Sequence, residues 1–401
     1  MINLENPRRY RGLVDQAHQV AREMFRPISR KYDRAEHEYP KELDTLAALL
    51  DGMNDSGGEG AGAGKLSQEK SADGSVVNGR NMSAVLGMIE LCWGDVGLAL
   101  SLPRQGLGNA AISAVANEEQ AERFEGCWAA MAITEPGAGS DSAAIRTRAV
   151  EDGDDYVLNG EKIYVTAGGR CDTVVVWATL DPAAGRAAIK SFVVPKGTPG
   201  MDVVRLDHKL GIRASDTATI QFTDCRVPKE NLLGSPEIDT KRSFAGAMKT
   251  FDNTRPLVAA MAIGLARASL EETRRLLEAA GVEIDYDRPA QSQAAAAAAF
   301  IDMEAEYEAA RLLTLQAAWM ADNSQPNSLQ ASMAKAKAGR VGTSVSLGCL
   351  ELVGPAAYTE DTLLEKWARD AKILDIFEGT QQIQLLIVAR RLLGKTSSEL
   401  K

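Results

Sequence analysis

Ile376-Phe377-Glu378-Gly379-Thr380-Gln381-Gln382-Ile383-Gln384, close to the C-terminus, sets a carboxylate between a bulky apolar residue and a glycine, with an amide-rich turn behind it. Alone, such a Glu reads as a solvated surface charge. Two other segments change that reading: Ile133-Thr134-Glu135-Pro136-Gly137-Ala138-Gly139-Ser140-Asp141 and Phe251-Asp252-Asn253-Thr254-Arg255-Pro256. The glycines of the first let backbone approach a flat or charged ligand closely, and its hydroxyls can hydrogen-bond. It is not a G-x-G-x-x-G run opening a helix, so no Rossmann nucleotide site is read. The second, as a bare string, reads as a helix start with Pro in the first turn.

Around these segments the texture of the chain changes twice. Leu13, Val14, Ala17, Val20, Ala21, Met24, Phe25 and Ile28 recur at helical spacing between Pro7 and Asp33, and a second helix is predicted from Lys41 to Leu50. Asp51 to Asn78, with Gly57-Gly58-Glu59-Gly60-Ala61-Gly62-Ala63-Gly64 at its centre, reads as a flexible loop. Helical texture returns from Asn81 to Arg123.

The middle reads as short strands of a small β barrel or sandwich. Tyr156-Val157-Leu158 precedes Asn159-Gly160, a hairpin signal. After it come Ile163–Val165, Thr173–Thr179, Ser191–Val194, Asp202–Leu206 and Thr217–Phe222. From Ser235 helices are predicted again: Pro256–Ala280, the alanine run Ala294–Ala299 leading into Phe300–Asp322, Lys335–Val353, and a last helix from about Gln382. A pattern of α, then β, then α implies segregated domains rather than a βαβ sheet.

Composition excludes several classes. The chain has 401 residues, 45% hydrophobic and 25% charged, as in ordinary globular proteins, and length suggests roughly two or three domains. A formal net charge of −10, without a basic stripe, argues against a nucleic-acid surface. No apolar run is long enough to span a membrane. The polar start, Met1 to Gly12, lacks the apolar stretch of a signal peptide. Five scattered cysteines (Cys92, Cys127, Cys171, Cys225, Cys349) form no C-x-x-C pair and read as reduced thiols of a cytoplasmic protein. His18, His37 and His208 lie far apart, without metal-ligand spacing, so no metal site is expected.

Together the three quoted segments, in this order and at these distances, resemble the acyl-CoA dehydrogenase family over nearly the whole chain. The resemblance implies an N-terminal helical domain (1–129), a central β domain (130–234) and a C-terminal four-helix-bundle domain (235–401). It implies an FAD-dependent oxidoreductase of fatty acid β-oxidation that converts an acyl-CoA thioester to the trans-2-enoyl-CoA. In the family's (Y/F)-E-G-T-x-Q motif the Glu takes the substrate's α-proton, which maps to Glu378. The β-hydride passes to flavin N5. The thioester carbonyl is held by the Glu378 backbone N–H and by the flavin ribityl 2′-OH.

The same resemblance assigns Met131, Ile133, Thr134, Gly139 and Ser140 to the loop that cradles the flavin. Tyr164-Val165-Thr166 matches the family's W-(I/V)-(T/S) strand on the flavin's other side, with Tyr164 in place of the usual Trp. Thr380 and Gln382 also fall at cofactor positions. Ser140, Asp252, Arg255 and Gly379 fall at substrate positions, with Asp252 and Arg255 beside the pantetheine and adenine portions. Leu210–Thr217 resembles the family's G-x-R-x-S-x-T stretch. Some members carry their base on the helix of Asp252; Thr254 is no base, which leaves Glu378. The implied electron acceptor is an electron-transfer flavoprotein.

The chain departs from the pattern where homotetrameric members reach a neighbour's flavin. Their E-R-x-x-F-G is absent from Leu276–Pro289, its Arg position falling on Ala280 or Glu283. Their Q-(I/L)-x-G-G turn reads Glu351-Leu352-Val353-Gly354-Pro355, with Glu for Gln and a Pro that removes an N–H donor. That combination implies one subunit of an α2β2 heterotetramer, as known for members acting on bulky substrates such as steroid side-chain CoA esters; the other reading is a homo-oligomer. The alternatives to a dehydrogenase are an acyl-CoA oxidase, with the same fold and O2 as acceptor, and a non-catalytic assembly subunit. Retention of Glu378, Thr380 and Gln382 speaks against the latter. Nitroalkane oxidase carries Asp where this chain has Glu378.

Overall fold

The structure, a computed structural model, describes residues 8–55, 79–104, 107–238, 245–396 and 399, with side chains other than those of 49–55 and 245–253. The glycine-rich centre of the expected loop, Gly57–Gly64, lies outside the described residues.

The first helical run is α1 (Arg11–Val20), a π turn (Ala21–Phe25) and α2 (Arg26–Arg34). Its buried face carries Ala21, Phe25 and Tyr32, as the helical spacing requires. The next helix, α3 (Glu42–Asp55), runs past the expected end at Leu50. Extending a formed helix costs far less than nucleating one, so the polar residues after Leu50 join it. Then come α4 (Arg80–Gly94), the short α5 (Val96–Ala99), α6 (Leu107–Val115) and α7 (Glu118–Arg123). Asn117 starts α7 with a capping box: its Oδ1 accepts from Gln120 N–H at 2.8 Å while Gln120 Oε1 accepts from Asn117 N–H at 3.3 Å.

The middle is a curled sheet of 7 strands: β1 (Ala129–Ala132), β2 (Arg148–Asp152), β3 (Asp155–Thr166), β4 (Thr173–Thr179), β5 (Ile189–Pro195), β6 (Met201–Leu206) and β7 (Thr217–Pro228). Neighbours run β1-β4-β2-β3-β7-β6, with β5 on β4. The β1–β4 and β2–β4 pairs are parallel and the rest antiparallel. Every residue of β4 is buried, in keeping with its Val174-Val175-Val176-Trp177 run.

The hairpin expected at Asn159-Gly160 is not there. Both residues lie inside β3, where the pairing with β7 shifts register between Leu158 and Gly160. Asn159 spends its amide across the strands: Oδ1 accepts from Asp224 N–H at 2.9 Å. Gly160 is required by a close approach, since a Cβ there would sit 2.8 Å from Thr147 Cα. The turn comes earlier, at Gly153-Asp154, where Asp152 pairs with Asp155 and Gly153 takes φ 61°.

The C-terminal helices are α8 (Ala245–Ala279), α9 (Ala295–Asp322), α10 (Ser328–Val353), α11 (Leu364–Leu374) and α12 (Gln381–Leu393). Pro256 lies inside α8, so Phe251–Pro256 is not a helix start. Helices α8, α9 and α10 pack side by side and α12 packs on α10, while α4 lies across α8. Gly264 makes that crossing close, for a Cβ there would lie 2.2 Å from Ile89 O. One apolar core runs through the N- and C-terminal helices, from Phe25 and Ile89 to Leu265, Val345 and Trp367. The sheet has its own, around Leu158, Val174, Phe192 and Phe222.

No described helix is long and apolar enough to cross a membrane. None of the five cysteines is paired.

Candidate active site

Glu378 sits in the turn between α11 and α12, with a positive φ of 56° that non-glycine residues seldom adopt. Several contacts hold it there. Thr380 caps α12, its Oγ1 accepting from Ile383 N–H at 3.3 Å. Gln384, buried in the first turn of α12, donates back to Glu378 O at 3.1 Å. Lys335, on α10 and fully buried, donates to Gly379 O at 2.7 Å. The two peptides that follow Glu378 are thus held by side chains from two helices.

The carboxylate itself meets α8: Thr254 Oγ1 donates to Glu378 Oε2 at 3.0 Å. Burial pushes the Glu378 pKa above the usual carboxylate range, against the opposing pulls of the Thr254 hydroxyl, Lys335 and Arg255. Burial likewise lowers Lys335, to about 8, although Asp375 and Glu378 favour its charge. The result is a carboxylate kept basic by desolvation and kept chargeable by two buried cations. Opposed shifts of this kind occur at proton-transferring sites and in structural ion-pair networks alike.

Arg255, assigned above to the substrate's pantetheine and adenine end, is only 3% exposed. Its guanidinium donates to Ser332 Oγ at 3.5 Å and contributes to the field at Glu378. In this chain it is an internal cation next to the carboxylate. The Asp252 side chain lies outside the described residues.

The second group of expected residues lies on the sheet. Met131 is on β1, half-buried; Ile133 and Thr134 follow it, half-buried; Gly139 and Ser140 are exposed. The turn is pinned from below. Glu135, 6% exposed, meets the fully buried Lys162 at 2.7 Å and accepts from Thr147 N–H and Oγ1 at 2.9 and 2.6 Å. Lys162 Nζ also donates to Ile133 O at 3.1 Å.

Ile163 N–H donates to Thr134 O at 2.9 Å, which brings the next residue, Tyr164, alongside the turn. Tyr164 lies at a bulge, where the β3–β7 register shifts between Lys162 and Val165, and it takes φ 59°. Tyr164 is 65% exposed. Val165 is buried behind it and Thr166 is half-buried. An exposed aromatic ring beside hydroxyls, with open space above Gly137 and Gly139, fits a flat ring system carrying a phosphate tail.

Comparison with known proteins gives the family. The chain matches the family model for the acyl-CoA dehydrogenase C-terminal domain over residues 244–393 and that for the middle domain over 130–225. It is 37% identical over 263 residues to the short-chain specific acyl-CoA dehydrogenase of Clostridium acetobutylicum, a stretch covering 66% of this chain and 68% of that one. This chain belongs to the acyl-CoA dehydrogenase family. It is also 40% identical over 271 residues to the mitochondrial short-chain specific acyl-CoA dehydrogenase of Rattus norvegicus, covering 67% of this chain and 63% of the rat protein's length. The solved structure of butyryl-CoA dehydrogenase from Megasphaera elsdenii superposes with a TM-score of 0.82 at 29% identity, covering 98% of this chain and 100% of that one.

Within this acyl-CoA dehydrogenase chain, the positions that depart from the family pattern (Ala280, Glu283, Glu351 and Pro355) are all exposed, as is Gln382. Two site residues went unnoticed in the sequence, Lys335 and Lys162. Lys335 stands among Ala331, Ser332, Ala334, Ala336 and Ala338 on the buried face of α10. A lysine amid small residues on an apolar helix face was the available signal. Lys162 had none, because alternation along β3 is interrupted by the bulge just after it.

Proposed function

We propose that the chain catalyses FAD-dependent α,β-dehydrogenation of an acyl-CoA thioester to the trans-2-enoyl-CoA. The observation that carries this is the setting of Glu378: a carboxylate made more basic by burial, joined to Thr254 and faced by Lys335 and Arg255. Glu378 is the general base that takes the α-proton. Its backbone N–H is the donor to the thioester carbonyl, and the Gln384 and Lys335 contacts fix the two peptides that follow it. FAD, held by Tyr164, Thr166 and the Thr134–Ser140 turn, would supply the acceptor for the β-hydrogen. The short-chain names of the relatives make butyryl-CoA the first substrate to try.

A second subunit is favoured by the same surface positions. Where the family's pattern calls for an Arg and a Gln–Gly-Gly turn, this chain exposes Ala280 or Glu283, and Glu351 and Pro355. A Glu facing a diphosphate repels it. We therefore read the chain as one subunit of a heteromer in which a related chain helps to close each site, with an electron-transfer flavoprotein as acceptor.

The test is purification alone and with a co-expressed related chain, flavin measured per chain, then acyl-CoA turnover with an artificial electron acceptor under nitrogen. Turnover that disappears in Glu378→Gln while flavin stays bound is the expected result. Full activity of Glu378→Gln overturns the base assignment. O2-dependent turnover without the acceptor favours an oxidase, and tight one-per-chain flavin in a homotetramer ends the heteromer reading.

A further inference from the structure

Two of the chain's three histidines, remote in sequence, meet in space. His37 lies in the turn after α2 and His208 in the loop between β6 and β7. Their ring centroids are 5.0 Å apart. Between them Glu36 Oε2 lies 2.9 Å from His208 Nδ1, and Glu36 Oε1 accepts from Lys209 N–H at 2.7 Å. One donor atom from each of Glu36, His37 and His208 falls within 4.8 Å of the others.

Nothing in the reaction proposed above uses these groups, and two features of His37 ask for an explanation. Its backbone is held at φ 72°, a conformation costly for a non-glycine residue. Among the described residues neither of its ring nitrogens, both buried, has a hydrogen-bond partner. A buried imidazole without a partner is expensive unless something else takes its lone pair. The turn is braced from outside, since Arg170 donates to His37 O at 3.4 Å and to Glu38 O at 3.0 Å. The Lys209 ammonium is engaged elsewhere, for its Nζ donates to Ser215 O at 2.7 Å.

We propose that Glu36, His37 and His208 form a three-ligand site for a divalent transition-metal ion of the Zn2+ type. Two imidazoles and one carboxylate suit Zn2+, Ni2+ or Cu2+ and do not suit Mg2+ or Ca2+, which take oxygen ligands. Tetrahedral Zn2+, with bonds of about 2.0–2.1 Å, sets its donors about 3.4 Å apart. His208, with a side chain 85% exposed, is free to rotate and close the difference. A water takes the fourth position. The ion replaces the Glu36–His208 hydrogen bond and ties the end of α2 to the β6–β7 loop.

That loop also reaches the helical core, because Ile212 N–H donates to Asp370 Oδ1 at 2.5 Å. The metal therefore clips together two elements that are brought together only by folding. It binds the folded chain and not the unfolded one, so it stabilises by mass action. Its effect is on the joint between the helices and the sheet and is independent of flavin and substrate.

The experiment uses the full chain stripped with chelator, titrated with Zn2+ against a chromophoric chelator, and in parallel with Co2+ followed by visible absorption. The expected result is one ion per chain, a thermal midpoint that rises with Zn2+ but not with Mg2+, and a Co2+ spectrum of nitrogen and oxygen ligands. His208→Asn, at an exposed position, weakens Zn2+ binding at least tenfold, and Glu36→Gln does the same. Binding of Zn2+ undiminished in both variants, absence of binding to the wild-type chain, or a thiolate charge-transfer band with Co2+ each overturns the proposal.

Discussion

Thr254 Oγ1 donates a 3.0 Å hydrogen bond to Glu378 Oε2 and so joins the middle of α8 to the turn before α12. The bond favours the charged carboxylate, whereas burial disfavours it. Removing the hydroxyl in Thr254→Val leaves burial less opposed, so the Glu378 pKa moves further up. A base must be deprotonated to act, so the acid limb of the kcat/KM profile moves to higher pH. Hydrogen bonds to charged groups are worth about 1.5–3 kcal/mol, which makes the loss on that limb on the order of tenfold or more, with little change well above it. A limb that stays put, or moves to lower pH, removes Thr254 from the account.

Glu378→Gln separates chemistry from stability. General-base catalysis contributes about 10²–10⁴-fold, and turnover should fall by that order. Stability should move the other way. The folded-state pKa of Glu378 lies above its unfolded value, so the wild-type fold binds the extra proton and loses stability as pH rises from the unfolded through the folded value. Gln does not titrate. Urea unfolding at pH 5 and pH 8 should show the variant gaining on the wild type at the higher pH; an equal difference at both values contradicts the shift.

The sequence was most legible where a local pattern and its burial agree. Thr173–Thr179 reads as a strand because Thr173 to Val176 are all β-branched and Trp177 follows, and all of it is buried. It was least legible where a residue serves a distant neighbour. Gly160 looks like a turn glycine but exists because Thr147 crosses it. Ala129–Ala132 carries no strand preference and becomes a strand only by pairing with Thr173–Val176. At the site, Glu378 was readable from its motif, whereas Lys335 and Arg255 owe their part in its field to how α8 and α10 pack. Glu36, His37 and His208 show the same limit, for spacing along the chain says nothing about a meeting across two elements.

Gly264 tests the packing of α4 on α8. A Cβ there would fall 2.2 Å from Ile89 O and 2.9 Å from Trp93 N, both backbone atoms that cannot swing aside. Alanine is the better helix former, by roughly 1 kcal/mol, so propensity alone predicts that Gly264→Ala stabilises. The clash wins, because the two helices must separate and overpacking costs about 1–3 kcal/mol or more. Thermal unfolding should show a lower midpoint; a higher one would mean that the crossing is looser than these distances.

Lys366 tests the buried charge network that joins the N- and C-terminal helices. It is 1% exposed and sits 2.7 Å from Asp95 Oδ2 and 2.5 Å from Asp370 Oδ2, with Ser29 also donating to Asp95. Asp370 in turn holds Ile212 N–H, so α11, α5 and the β6–β7 loop share one cluster. Lys366→Met keeps the volume and removes the only ammonium between the two carboxylates among the described residues. Breaking one side of a buried ion pair costs about 3–5 kcal/mol, since the charges left behind stay desolvated. The pH dependence carries the sign: burial already raises Asp370, with Lys366 opposing, so its loss pushes that pKa higher still. With the folded value raised, the variant's deficit should be largest at neutral pH and shrink as pH falls and Asp370 protonates. Urea unfolding of both proteins between pH 5 and pH 8 reads this directly, and a deficit that grows on acidification would show that Lys366 does not oppose the rise at Asp370.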